Sequence, residues 1–130
     1  MRDRSTVTAG ATFCEALEEH LGALQARDAD RFAATLGDEV VVVDGKGAIT
    51  RGSETVLASH AAWFADPAAW SFAYEVVLTR ELATAALALL DVTYRHTPQS
   101  TPSRFLLSLL FARDASGAWK FVYDQNTTLS

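Results

Sequence analysis

The sequence predicts an α+β fold in which about three N-terminal helices lie against a curved, mostly antiparallel sheet. Three observations predict it. Apolar residues recur at spacings of three and four near the N-terminus, the period of a helix with one buried face. Four consecutive valines, Val40 to Val43, then open the strand-forming part of the chain. From Trp70 onward, strand-like runs follow one another between short turn signals. Helices first and a meander afterwards indicate an α+β layer arrangement.

Residues Met1 to Gly10 are polar and small and read as a frayed end. From Thr12 the pattern is helical. Phe13, Leu17, His20, Leu21 and Leu24 form a stripe, with Glu15, Glu18 and Glu19 off it. Thr12 with Glu15 three residues later is the capping-box arrangement. Asp28-Ala29-Asp30 breaks the run. Asp28 or Asp30 then caps a second short helix, Arg31 to Leu36, ended by Gly37. Glu39 to Asp44 reads as a strand buried on both faces. Asp44-Gly45-Lys46-Gly47 is a turn signal, and Ala48 to Arg51 a short returning strand. Ser53 is expected to cap a third helix running to about Ala65. Its apolar side carries Val56, Leu57, His60, Trp63 and Phe64, and Asp66-Pro67 stops it.

Trp70 to Thr79 alternates, with Phe72, Tyr74, Val76 and Leu78 on one face. Leu82 to His96 is ambiguous. Ala83 to Leu90 has high helix propensity, whereas Asp91 to His96 reads as strand. Strand neighbours on both sides decide for strand, with Arg80-Glu81 at the turn. Thr97 to Ser103 is a loop. Phe105–Arg113 and Ala118–Asn126 make a β-hairpin around Asp114-Ala115-Ser116-Gly117. Strict alternation on its return arm puts Trp119, Phe121, Tyr123 and Gln125 on one face. Lys120, Val122, Asp124 and Asn126 fall on the other. A face that runs from large apolar groups to a phenol and an amide is either the wall and mouth of a pocket or a core strand whose end reaches water.

Composition bounds the function. The chain has 130 residues, which suits one domain, and 49% of them are hydrophobic, enough for a core without staples. Eleven Lys and Arg against 16 Asp and Glu give a net charge of -5, which argues against nucleic acid. A single cysteine, Cys14, excludes an intrachain disulfide. The polar N-terminus has no signal-peptide core, and no apolar run is long enough to span a bilayer. A cytoplasmic domain with no membrane contact is the expectation. His20, His60 and His96 are scattered without paired spacing, so no metal site is expected. With no phosphate loop or dinucleotide fingerprint, no cofactor is expected either.

Three pieces carry a family resemblance: His20 to Asp28 at the end of the first helix, Val40 to Gly52, and the closing strand Gly117 to Thr127. On these the chain resembles the nuclear transport factor 2-like superfamily, in its SnoaL-like and ketosteroid isomerase-like branch. The resemblance covers about Phe13 to Thr127, and it implies one SnoaL-like domain with an ordered core of about 12–127. It implies a cystatin-like α+β barrel with a cone-shaped cavity between sheet and helices. It also implies a homodimer formed through the outer sheet face and a small apolar ligand in the cavity. Fold alone does not select a chemistry, since the superfamily holds isomerases, cyclases, dehydratases and non-catalytic binding modules.

Asp44 matches the place of the isomerase's general base. The valines before it would put it in an apolar setting and raise its pKa, unless it serves only its own Asp-Gly turn. His20 falls where the isomerase has an oxyanion-binding Tyr; a buried core histidine is the plainer reading. The isomerase's second oxyanion donor, an acid, falls near Leu109, so the full isomerase apparatus is absent. In its place stand Tyr123, Gln125 and Asp124, with Tyr94, His96 and Arg104 beside the Pro-containing loop. His60 and Trp63 on the third helix could face the same volume. Asp44 or Asp124 could pair with His20 or His60. Alternation places Asp124 and Asn126 away from Tyr123, where a dimer contact is the competing role. Trp63, Phe64, Phe72, Trp119 and Phe121 are expected to supply apolar contact. The expected activity is general-base proton transfer on an apolar carbonyl or polyketide-like compound, with Asp44, His20 and Tyr123 as catalytic groups. The rival is a non-catalytic ligand-binding or dimeric association module of the same fold.

Overall fold

A computed structural model describes residues 11–129; the polar stretch Met1 to Gly10 lies outside the described residues. Helix α1, Phe13–Gln25, starts as its sequence dictates. Thr12 Oγ1 accepts from the Glu15 amide at 3.2 Å, and the Thr12 amide donates to Glu15 Oε1 at 2.9 Å. Its buried face holds Phe13, Leu17, His20, Leu21, Ala23 and Leu24. Helix α2, Ala29–Ala34, begins at Asp28, whose side chain accepts from the Arg31 amide. It ends earlier than expected. Thr35 turns its hydroxyl back to the Phe32 carbonyl at 2.7 Å, and Gly37 lies inside the next strand.

The strands are β1 Leu36–Val43, β2 Ile49–Arg51, β3 Ser71–Glu81, β4 Ala85–Arg95, β5 Ser103–Arg113 and β6 Trp119–Leu129. Helix α3, Ser53–Phe64, sits between β2 and β3. Gly52, at φ 87°, is its N-cap and makes no side-chain cap bond, so Ser53 is the first helical residue and not the cap. Of the ambiguous Leu82–His96 segment, Ala85–Arg95 is strand, because pairing on both edges overrides its helix propensity; Arg80 and Glu81 are paired within β3, and the turn falls at Leu82 to Thr84 instead. The six strands form one mixed sheet in the order β2-β1-β6-β5-β4-β3. Only β1 and β6 run parallel.

Two bulges break the alternation that the sequence suggests. Phe121 pairs with Phe111 and Tyr123 with Leu110, so Val122 is an extra residue in β6. Val76 pairs with Leu90 and Leu78 with Leu89, so Val77 is extra in β3 and Leu78 turns to the outer face. Strand β1 is also less buried than four valines suggest. Val40 is fully buried, but Val41 and Val43 share register with Tyr123 and Gln125 on the outer face and are half-buried.

Phe13, Phe32, Phe111 and Phe121 centre the core between α1, α2 and the inner sheet face. His20 belongs to it, 2% exposed, with ring centroids 4.2 Å from Phe121 and 4.9 Å from Phe32. Its Nδ1 lies 2.8 Å from Thr35 Oγ1. The Thr35 hydrogen already goes to Phe32, so His20 Nδ1–H is the donor. Burial, with the nearby His60 imidazole, pushes its pKa down to about 3.

An imidazole that is neutral when folded but titrates normally when unfolded makes stability fall with acid. The His20 contribution is intact above about pH 6.5 and drains away as pH falls toward 3. The stability gap between wild type and His20→Phe should therefore narrow on going from pH 6 to pH 4, by about 1.4 kcal/mol per pH unit. Urea unfolding at both pH values checks this. A gap independent of pH would contradict the buried neutral imidazole.

Candidate functional site

A cleft of about 450 Å³ opens between α3 and the inner face of the sheet. Leu24 of α1 and Val42 of β1 border it, with Asp44 and Thr50 at the β1–β2 end. Ser59, His60 and Trp63 come from α3. The sheet adds Phe72, Tyr94, Phe105, Leu107, Asp124 and Asn126. Walls of this kind, mostly aromatic and aliphatic with a few converging polar groups, are those of small-molecule sites.

Asp124 is the polar group that stands out. It is 8% exposed, and its Oδ1 has no hydrogen-bond partner. Burial alone pushes its pKa up to about 7. The sequence left Asp124 facing away from the apolar side of β6. The extra residue Val122 reverses that: beyond it, Asp124 and Asn126 point inward and Tyr123 and Gln125 outward. Gly37 makes room for the bulge, since a Cβ there would sit 3.1 Å from Val122 Cγ1.

Two further groups have fixed orientations. His60 Nδ1 lies 2.8 Å from the Val56 carbonyl, so it carries the hydrogen and leaves Nε2 as the acceptor. Burial lowers the His60 pKa against the opposing pull of that hydrogen bond. On the other wall, Trp63 Nε1–H donates to the Tyr94 hydroxyl at 3.2 Å. Tyr94 keeps its own hydrogen for another acceptor; His96 Nδ1, at the surface, is 3.4 Å away.

Asp44 is at the rim, but not in the setting its valines suggested. It is fully exposed, and its Oδ1 accepts from the amides of Lys46 and Ala48, both at 2.9 Å. Those backbone bonds, that from Ala48 most, lower its pKa instead of raising it. Asp114 does the same in the second hairpin, accepting from the Ser116 and Ala118 amides, and Gly47 and Gly117 share φ 86°. Asp44 is thus one of two copies of the same turn.

Several other expected residues lie elsewhere. His20 is enclosed by the core rings and does not reach the cleft. Tyr123 is on the outer face, where its hydroxyl donates to Gln125 Oε1 at 2.6 Å. Trp119 and Phe121 are core residues, with Trp119 against Phe13 and under the Arg113 guanidinium. Phe64 is likewise core. Arg104 pairs with Asp91 at 2.7 Å on the outer face. The structure does bring His60, Trp63, Phe72, Tyr94 and Asp124 together. Sequence reasoning assigned no site role to Thr50, Ser59, Phe105, Leu107 or Asn126. Asn126 follows from the same two-residue period as Asp124 once the bulge is known. A larger groove of about 550 Å³ runs past Gly37, Asp38, Arg113 and Lys120, but it holds no buried titratable group. Among the described residues, no cluster of His, Cys, Asp or Glu is placed to hold a metal ion, and no helix is long and apolar enough to cross a membrane.

The family model for the SnoaL-like domain matches residues 14–126. The chain belongs to the SnoaL-like family. Solved structures similar to this SnoaL-like domain share its nuclear transport factor 2-like, cystatin-like fold. One is a candidate calcium/calmodulin-dependent protein kinase type II association domain from Thiobacillus denitrificans, 20% identical, with TM-score 0.79 over 92% of this chain and 96% of that one. Another is a nuclear transport factor 2-like protein of unknown function from Pseudomonas putida, 16% identical, TM-score 0.77, covering 88% and 82%. A third is a candidate dehydratase of that family from Streptomyces avermitilis, 15% identical, TM-score 0.73, covering 88% and 91%. A search of curated protein sequences finds no match. At these identities the likeness establishes the fold of the SnoaL-like domain and no chemistry.

Asp124 should cost this SnoaL-like domain stability. A carboxylate whose pKa is raised on folding contributes stability fully only below its unfolded value of about 3.8, and loses it as pH rises toward 7. Asp124→Asn should therefore raise unfolding stability at pH 8, by on the order of 3 kcal/mol, and change it little at pH 4. Urea midpoints at the two pH values measure this; destabilisation at pH 8 would contradict the burial argument.

Proposed function

We propose that the SnoaL-like domain is a cofactor-independent enzyme that moves a proton on a small, largely apolar carbonyl compound, in an isomerisation, cyclisation or dehydration. The observation that carries this reading is Asp124, a buried carboxylate that borders a cleft with its Oδ1 unpartnered and whose pKa burial pushes up to about 7. A base poised near the working pH is the most effective one, and such a group contributes on the order of 10²–10⁴ in rate. Asp124 takes the proton beside the carbonyl. The Tyr94 hydroxyl, whose oxygen already accepts from Trp63, lies six residues along the strands from the row of Asp124 and offers its hydrogen to a distal polar group of the substrate. His60 Nε2 stands ready as a second acceptor or shuttle. Asp44 shapes the rim, and its turn bonds leave it a weak base.

Exchange of carbonyl-adjacent hydrogens for deuterium, followed by NMR across a panel of cyclic ketones, tests the chemistry without knowledge of the natural substrate. Wild type should catalyse exchange, with a rate that rises through about pH 7 and then levels as Asp124 ionises. Asp124→Asn should lose on the order of 100-fold or more, while Asp44→Asn keeps most of the rate. Full activity in Asp124→Asn would sink the assignment.

The outer sheet face supports a second copy of the chain as partner, an arrangement shared with the rival reading of an association module without chemistry. Register aligns Leu87, Leu110, Tyr123 and Val41 in one row across four strands, with Leu78 and Leu89 beside it. Leu78 and Leu87 are 45% and 37% exposed. A contiguous apolar band of this kind is rarely left in water. Sedimentation should give a dimer for wild type and a folded monomer for Leu87→Lys combined with Leu110→Lys. A wild-type monomer at micromolar concentration would contradict this partner.

A further inference from the structure

The charge of the cleft narrows what can occupy it. None of its lining residues is Lys or Arg, while Asp124 and Asp44 both border it. Of the arginines nearby, Arg51 shares register with Val41 on the outer face, and three others are committed elsewhere. Arg27 lies over the Trp70 ring at 4.0 Å and donates to the Ala68 and Trp70 carbonyls. Arg95 donates to the Ser100 carbonyl, and Arg104 pairs with Asp91. Lys46 sits in the exposed turn, outside the lining. A carboxylate or phosphate entering here would meet two negative groups and no cation. Asp124, in contrast, is nine-tenths buried with an oxygen that has no partner. A buried, unpaired carboxylate is costly, and a ligand that brings the missing charge recovers much of that cost. The same cleft is lined, on the wall facing Asp124, by Trp63, Phe72, Tyr94 and Phe105, and aromatic rings of this kind attract a cation.

We propose that the cleft selects a small apolar molecule carrying a protonated amine, seated with its ammonium against Asp124 and its body among Trp63, Phe72, Tyr94 and Phe105. This rests on reading the cleft as the ligand site. Asp44 adds negative potential at the entrance and repels anions.

Three probes of one shape and different charge test it on the full chain: naphthylmethylamine, naphthylmethanol and naphthoate, near pH 8. Titration calorimetry, with tryptophan fluorescence as a second readout for Trp63, gives the affinities. The amine should bind about tenfold or more tighter than the alcohol, with naphthoate weakest. In Asp124→Asn the amine should fall to within about twofold of the alcohol. Circular dichroism confirms that the variant is folded, and the wild-type order decides the matter even if it is not. Equal binding of amine and alcohol, or tightest binding of naphthoate, overturns the charge selection and leaves the cleft as a ligand site. Failure of all three probes to bind overturns both.

Discussion

One inserted residue sets the character of the interior. Without the bulge at Val122, the two-residue period of β6 would send Asp124 and Asn126 to the outer face with Lys120. With it, the strand presents Trp119 and Phe121 to the core and then Asp124 and Asn126 to the cleft, all from one side. The bulge depends on β1, where the parallel register slips between Leu36 and Val41 and Gly37 lies against Val122. The residue that decides the site is thus an uncharged valine two positions before the carboxylate.

Asp44 and Asp124 show how completely environment decides what an aspartate can do. Each ends up beside the same cleft. Asp44 is in water and saturated by backbone amides, which stabilise the charged form and hold its pKa down. Asp124 is buried, with no partner for its Oδ1, and burial pushes its pKa up to about 7. A pair of carboxylates with pKa values driven apart by their surroundings is a recurrent way of dividing acid–base roles. Here the division gives Asp44 a structural job, repeated by Asp114, and leaves Asp124 as the group that can change charge near neutrality.

Local signals were legible in the sequence and pairing signals were not. Thr12 with Glu15, Asp28, and the two Asp-x-x-Gly turns act through bonds within four or five residues, so their motifs translate directly into structure. The fold class followed from the order of such elements, and the family from a resemblance carried by His20 to Asp28, Val40 to Gly52 and Gly117 to Thr127. A bulge depends on which residue of a distant strand faces which, and Phe-Val-Tyr-Asp carries no mark of it. Strict alternation therefore put Tyr123 and Gln125 on the apolar face and Asp124 and Asn126 on the opposite one, although Asp124 still stood among the candidate site residues. His20 was misplaced for a different reason. A histidine on a helix's apolar stripe reads the same whether its polar edge meets a ligand or a buried threonine, and only the tertiary position of Thr35 decides.

The wall opposite Asp124 is built before any ligand arrives. Arg27, at φ 56° just past the end of α1, reaches across to the Trp70 ring and its carbonyl. Trp70 stacks on Trp63 at 4.4 Å and 23°, and Trp63 in turn holds the Tyr94 hydroxyl. This chain of contacts ties α1, α3, β3 and β4 into one rigid unit, so a ligand need not order those side chains when it binds. The floor is the reverse: a buried carboxylate with one oxygen left unsatisfied. A preformed aromatic wall facing an unpaired acid gives up stability in the empty protein and regains it only when something that donates a hydrogen bond or a positive charge fills the space between.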